Sequence, residues 1–196
     1  MGELSKVKVC VGWDAVDHTG NIASKKGFLG RIQNTVEEIA ARAETPDVDI
    51  DLNCIICGVD GKKINTVFFA NKVDIGNGIA LDKDDRTGSS SAGGDDETIH
   101  VDLNVVSSVV DKLDFWVDIY DCMTRNQHFG MVRNSFVRVV DETTNQEICR
   151  YNLSDDYKNK TAIFVCSVYK KTGEWKFKAE GTATIDTGIR AIERKY

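Results

Sequence analysis

Oxygen ligands crowd into two short stretches of this sequence. The first, Asp49-Ile50-Asp51-Leu52-Asn53, alternates polar with apolar residues, so on a strand all three polar side chains share one face while Ile50 and Leu52 anchor the other. In the second, Asp82, Asp84 and Asp85 precede Gly88, and Asp95, Asp96 and Glu97 follow Gly94. Calcium is a hard cation that takes about six to eight oxygens from carboxylates, amides and backbone carbonyls on adaptable segments, and both stretches offer them. Magnesium suits them less, because it requires tighter octahedral geometry and tends to keep its waters. An EF-hand loop would also begin Asp-x-Asp-x-Asn. Its sixth position, where the turn needs glycine, is Cys54 here, and its twelfth is Asp60 in place of glutamate. Neighbouring carboxylates repel one another unless a cation or solvent screens them. On residue types alone, a solvated acidic surface explains the same pattern equally well.

The charge distribution sharpens the picture. The chain has 196 residues and a formal net charge of -6. Residues 82–102 hold seven acids against Lys83 and Arg86, and Asp47, Asp49 and Asp51 add three more, so these stretches carry more negative charge than the chain's net. Nucleic acid is excluded as a default partner, since phosphate binding needs a basic surface. With 41% hydrophobic and 29% charged residues and a single proline, the composition is that of an ordinary globular domain. No apolar run approaches the roughly 20 residues that span a bilayer, and the N-terminus lacks the layout of a secretory signal. A single cytoplasmic domain is expected.

The elements that must carry these acids are mostly strands. Val7-Lys8-Val9-Cys10-Val11 alternates and reads as a strand ending at Gly12-Trp13-Asp14. Strand-like runs follow at 49–57, 64–70, 98–105, 112–121, 129–140, 147–153, 161–170 and 174–184, separated by turns such as Val59-Asp60-Gly61-Lys62. The spacing predicts an all-β fold, a two-sheet antiparallel β-sandwich. One helix interrupts it: between about 24 and 44, Phe28, Leu29, Ile32, Val36, Ile39 and Ala40 recur at helical intervals, with Pro46 beyond the end. We read it as an amphipathic insertion at about 17–46. The run Gly88-Ser89-Ser90-Ser91-Ala92-Gly93-Gly94 reads as a mobile loop in the absence of a ligand.

Other chemistry finds less support. Six cysteines sit mostly in apolar runs, as buried reduced thiols would, and Cys54 and Cys57 point to opposite faces of one strand. His18, His100 and His128 are scattered, with no readable nucleophile-base order and no glycine-rich phosphate loop, so a non-enzymatic protein is expected. Trp13, Trp116 and Trp175 read as core aromatics.

The sequence resembles the TerD-type family of tellurium-resistance and stress-response proteins. The resemblance rests on Gly12-Trp13-Asp14, on Asp49-Ile50-Asp51-Leu52-Asn53, on Lys83-Asp84-Asp85-Arg86-Thr87-Gly88 and on Gly94-Asp95-Asp96-Glu97. It continues through Phe129 to Val139, Arg150-Tyr151-Asn152-Leu153-Ser154 and Gly173 to Ala179. It implies a β-sandwich with calcium bound between the two acidic segments, on ligands from Asp49, Asp51, Asp84, Asp85, Gly88, Asp95, Asp96 and Glu97. Asn53 and Asp85 exchange amide and carboxylate relative to the family, which keeps an oxygen at each position but redistributes charge, while Lys83 replaces a glycine. The helical insertion has no counterpart in the resemblance. The implied function is that of a calcium-binding stress-response protein, in which the ion cross-links loop 82–97 to strand 49–53 and orders a surface for protein partners of that system. The alternatives are an adapter module working through helix 24–44 with structural calcium, and a small-ligand binder of cyclic-nucleotide type.

Overall fold

The computed structural model describes residues 4–14, 47–82, 84–88 and 94–196. The expected helix at 24–44 and most of the 88–94 loop lie outside them. Among the described residues the strands are β1 (Lys6–Asp14), β2 (Ile50–Gly58), β3 (Lys63–Val67), β4 (Val73–Asp74), β5 (Ile79–Leu81) and β6 (Glu97–Asp102). They continue as β7 (Val110–Ile119), β8 (Arg133–Asp141), β9 (Gln146–Asn152), β10 (Ala162–Lys171) and β11 (Glu174–Thr184). The α-helices among the described residues are α1 (Cys122–Arg125), α2 (Leu153–Asp156) and, after the last strand, α3 (Ile189–Glu193).

The strands form two antiparallel sheets, one in the order β4-β5-β6-β1-β8-β9 and the other β11-β10-β7-β2-β3. The expected two-sheet sandwich is therefore observed. Its core is filled from both sheets by the alternating apolar positions, among them Val7, Val9 and Val11 of β1, Ile50, Leu52 and Ile56 of β2, and Ile99 and Val101 of β6. The opposite face of β2 is also covered. There Ile55 and Cys57 pack with Phe68, Trp116, Ala162, Ile189 and Ile192, so α3 caps a second, smaller apolar cluster on the outside of its sheet. This arrangement buries all nine residues of β2. It also puts Cys54 in one cluster and Cys57 in the other, on opposite faces as alternation requires.

Boundaries depart from the alternation in instructive places. The run expected to start at 129 opens as a 3-10 turn, Phe129–Met131, because the Phe129 N–H donates to the Lys160 carbonyl and the chain must turn before β8 begins at Arg133. The strand expected to reach 105 ends at Asp102, whose Oδ1 accepts from the Asn104 backbone and amide side chain and so starts a turn. The short hairpin of β4 and β5 and the helix α3 had no sequence expectation; both are too short for periodicity to register.

Position 12, two residues before the end of β1, has room only for glycine. A Cβ there would collide with the Gly94 carbonyl oxygen and lie 2.7 Å from the Phe136 ring. We expect Gly12→Ala to lower unfolding free energy by about 1–3 kcal/mol in urea melts, the usual cost of overpacking. Unchanged stability would show that the approach of the 94–97 segment to β1 is soft.

Candidate metal centre

The site forms where the N-terminal end of β2 meets the N-terminal end of β6 across the sandwich. β3 pairs with β2 only from Cys54 onward, and before that point the Leu52 N–H donates to Glu97 Oε2 at 2.9 Å. The other Glu97 oxygen accepts from the Asp85 N–H at 3.2 Å. One buried carboxylate thus holds a strand of one sheet to the acidic loop that leads back into the other. Around it, single oxygens of Asp51, Asp84 and Glu97 all lie within 4.8 Å of one another. Calcium binds oxygens at about 2.3–2.6 Å, so two of its ligands can be at most about 5 Å apart, and the three carboxylates meet that limit.

Asp49 completes the floor. It is 9% exposed, and its Oδ1 is buried with no hydrogen-bond partner. A buried acceptor of this kind carries a desolvation cost that a cation would relieve. Together with Asp51, Asp84, Phe69, Tyr120, Arg86 and Arg125, it lines a cavity of about 150 Å³ that opens to the surface.

The remaining expected ligands have other partners. Asp85 Oδ1 accepts from the Thr87 and Gly88 backbone N–H groups at 3.0 and 3.1 Å, forming the tight turn of the loop. Gly88 has φ +65°, and a Cβ on it would come within 2.5 Å of Trp13 Cδ1, so the loop rests directly on that ring. Asp96 Oδ2 accepts the Trp13 backbone N–H at 2.8 Å, and the Trp13 indole donates to the Val48 carbonyl at 3.1 Å. Trp13 therefore fastens β1 to both acidic segments. Asp95 forms a bidentate pair with Arg138 at 2.6 and 2.9 Å. Asn53 donates to Asp118 Oδ1 at 2.7 Å, while its own Oδ1 is buried without a partner. The three-oxygen group itself includes none of Asp85, Asp95 and Asp96.

Asp118 went unnoticed in the sequence. It is 1% exposed and sits directly opposite Asp51 in the β2–β7 register. The available signal was a lone acid in the apolar run Phe115-Trp116-Val117-Asp118-Ile119.

Repulsion and burial show in the acidities. Burial pushes the Glu97 carboxyl up to about 8; its two backbone donors oppose this, and Asp84 and Asp49 reinforce it. Burial, then Asp84, raises Asp49 to about 6 in spite of Arg125 and Arg86. Asp51 and Asp118 are both raised, foremost by desolvation, and Asp51 further by Asp118. Asp95 behaves oppositely: desolvation works against its ionisation, but Arg138 holds it below the usual carboxylate value. Asp49 and Asp51 line the cavity, with Glu97 and Asp118 buried beside them, and a cation bound there would favour the ionised form of each.

The TerD domain family matches residues 1–196. The chain belongs to the TerD family. Stress response protein SCP2 of Bacillus subtilis is 37% identical over 195 residues, covering 98% of this chain and 90% of that protein. Tellurium resistance protein TerD of Serratia marcescens is 34% identical over 145 residues, 72% of this chain and 74% of that protein. In fold, the chain is similar to the crystal structure of a homologue of telluride resistance protein (TerD) from Streptomyces coelicolor. The TM-score is 0.72 over 93% of this chain and 92% of that one, at 18% identity. The TerD family resemblance read from the two acidic segments and Gly12-Trp13-Asp14 is thereby established. No helix among the described residues is long and apolar enough to cross a membrane.

The acidities set a pH dependence. Glu97 ionises near 4.5 when unfolded and at about 8 in the folded, metal-free protein. Between these values the folded state holds the extra proton, so stability is greatest at the acid end of the window and falls as pH rises through it. Asp49, raised from 3.8 to about 6, adds to the loss over the lower part. The melting temperature of chelator-treated protein is expected to fall from about pH 5 to about pH 8. Asp51→Asn, which removes one of the repelling acids, should melt above the parent at the upper end. A flat profile would mean that these carboxylates ionise freely in the folded state.

Proposed function

We propose that the protein binds calcium at the seam of its two sheets, and that Asp49, Asp51, Asp84 and Glu97 supply the side-chain oxygens. The observation that carries the reading is the convergence of Asp51, Asp84 and Glu97 within 4.8 Å beside the buried, unpartnered oxygen of Asp49. An all-oxygen, all-carboxylate donor set on one strand and one loop suits a hard cation of adaptable geometry. Bound calcium would supply the positive charge that lets these acids ionise side by side. In this reading Asp85, Gly88 and Asp96 shape the loop, Asp95 anchors it to β8 through Arg138, and Asn53 orients Asp118.

The proposed role is structural and regulatory rather than catalytic. Glu97 already spends both oxygens on the backbone of β2 and of the loop, so an ion beside it would tighten a cross-link that exists without it. The ordered loop would then present a surface to protein partners in a stress response, in keeping with the names of the Bacillus and Serratia relatives. A cytoplasmic setting belongs to the same proposal, supported by six cysteines that all carry free thiols.

Calorimetric titration of chelator-stripped protein with calcium tests it. The parent should bind and gain about 2.7 kcal/mol of stability at a hundredfold excess over Kd. Asp84→Ala should weaken binding at least about tenfold, since even groups behind the ligands cost about 10–100-fold when removed. Asp95→Asn should stay within a few-fold of the parent. Equal loss in both variants would favour the wider ligand set that includes Asp95, and no heat in the parent would remove calcium from the account.

A further inference from the structure

We infer that Arg86 and Arg125 are built-in counter-cations of the acidic centre, shifting its preference from trivalent towards divalent cations. The inference rests on the cation-binding reading above and deepens it.

Both arginines line the cavity whose floor is Asp49, Asp51 and Asp84, one coming from the acidic loop and the other from the end of α1. Their ion pairs are looser than that of Arg138. Arg138 grips Asp95 at 2.6 and 2.9 Å and occupies both of its oxygens. Arg86 Nε stands 3.8 Å from Asp84 Oδ2, and Arg125 Nε stands 3.8 Å from Asp121 Oδ2. Arg86 thus adds its field to Asp84 without claiming a lone pair a metal needs, while Arg125 lines the cavity with its Nε turned to Asp121, outside the acidic group. Arg125 is held over the Tyr120 ring at 5.5 Å, and Tyr120 is braced edge-on by Phe69 at 5.6 Å, so its position at the rim is fixed by packing.

The two guanidinium groups offset part of the negative charge around Asp49, Asp51, Asp84 and Glu97, and so reduce the pull on a trivalent ion more than on a divalent one. The arginines also repel whatever cation binds, in proportion to its charge, so the centre holds a divalent ion without trapping it.

The test is terbium luminescence and calcium competition on the full chain at low ionic strength, comparing the parent with R86Q/R125Q and R86K/R125K. Exposed charges of this kind act at roughly threefold each, so the double glutamine variant should bind calcium roughly tenfold more tightly. Terbium should tighten roughly thirtyfold, because the repulsion removed scales with ionic charge, raising the terbium-to-calcium preference about threefold. The lysine variant, which keeps the charge, should stay within about twofold of the parent, and added salt should shrink every difference. Melting curves of the metal-free proteins check that each variant is folded. Should the double variant fail to fold, Arg86→Gln alone carries the test, since its side chain is 79% exposed. Unchanged or weakened affinities in the glutamine variants, or lysine variants behaving like glutamine, would overturn this inference while leaving the cation site standing. A parent that binds neither ion would overturn both.

Discussion

Glu97 is the interaction on which the rest of the site depends. Its two oxygens accept N–H groups from Leu52 on β2 and Asp85 in the acidic loop, so one carboxylate at the start of β6 ties together both sheets and the loop between β5 and β6. A buried carboxylate is costly unless its lone pairs are satisfied, and here backbone donors satisfy them. The same geometry leaves the ionised form under repulsion from Asp84 and Asp49, which is why burial and charge together push Glu97 to about 8. The fold therefore holds the carboxylate in place while keeping it receptive to an external positive charge.

Trp13 does for packing what Glu97 does for polarity. Its backbone N–H goes to Asp96, its indole N–H to the Val48 carbonyl, and Gly88 rests against its ring. Three separate parts of the chain that carry acids are thus spaced by one aromatic side chain on β1. The Gly12-Trp13-Asp14 motif is a structural fastener for the acidic centre: Gly12 admits the 94–97 segment, Trp13 spaces the loops, and Asp14 accepts from the Asn134 amide at 2.6 Å. This gives a physical reason for segments far apart in this sequence to meet at one place.

The site is also a record of how charge is managed inside a sandwich. Asp51 and Asp118 face each other across β2 and β7, a pairing that like charges make unfavourable. Asn53 donates to Asp118, and desolvation favours the protonated forms of both acids. Outside, Asp95 is neutralised by Arg138, Arg86 stands 3.8 Å from Asp84, and Arg125 lines the cavity while pairing with Asp121. The acids are graded from tightly paired through partly screened to unpaired, and the unpaired end is the one open to the cavity.

Much of this was legible in the sequence because it depends on local periodicity. Alternation in β1, β2 and β6 to β11 declares strands, and Asp49-Ile50-Asp51-Leu52-Asn53 declares a polar face backed by Ile50 and Leu52, since side chains on a strand change sides at every residue. Which acids form the centre was not legible. Asp84, Asp85, Asp95, Asp96 and Glu97 look equivalent in one dimension, yet Asp95 is claimed by Arg138 from 43 residues away and Asp96 by Trp13 from 83 residues away. Asp118 joins the site only through the β2–β7 register, and α3 is too short for its apolar residues to show a helical period. The sequence by itself determined the chemistry available, a surplus of carboxylate oxygens on strands and a loop. Only the tertiary structure decided which of them meet, because hydrogen bonds and ion pairs between distant residues allocate each carboxylate once the sheets have closed.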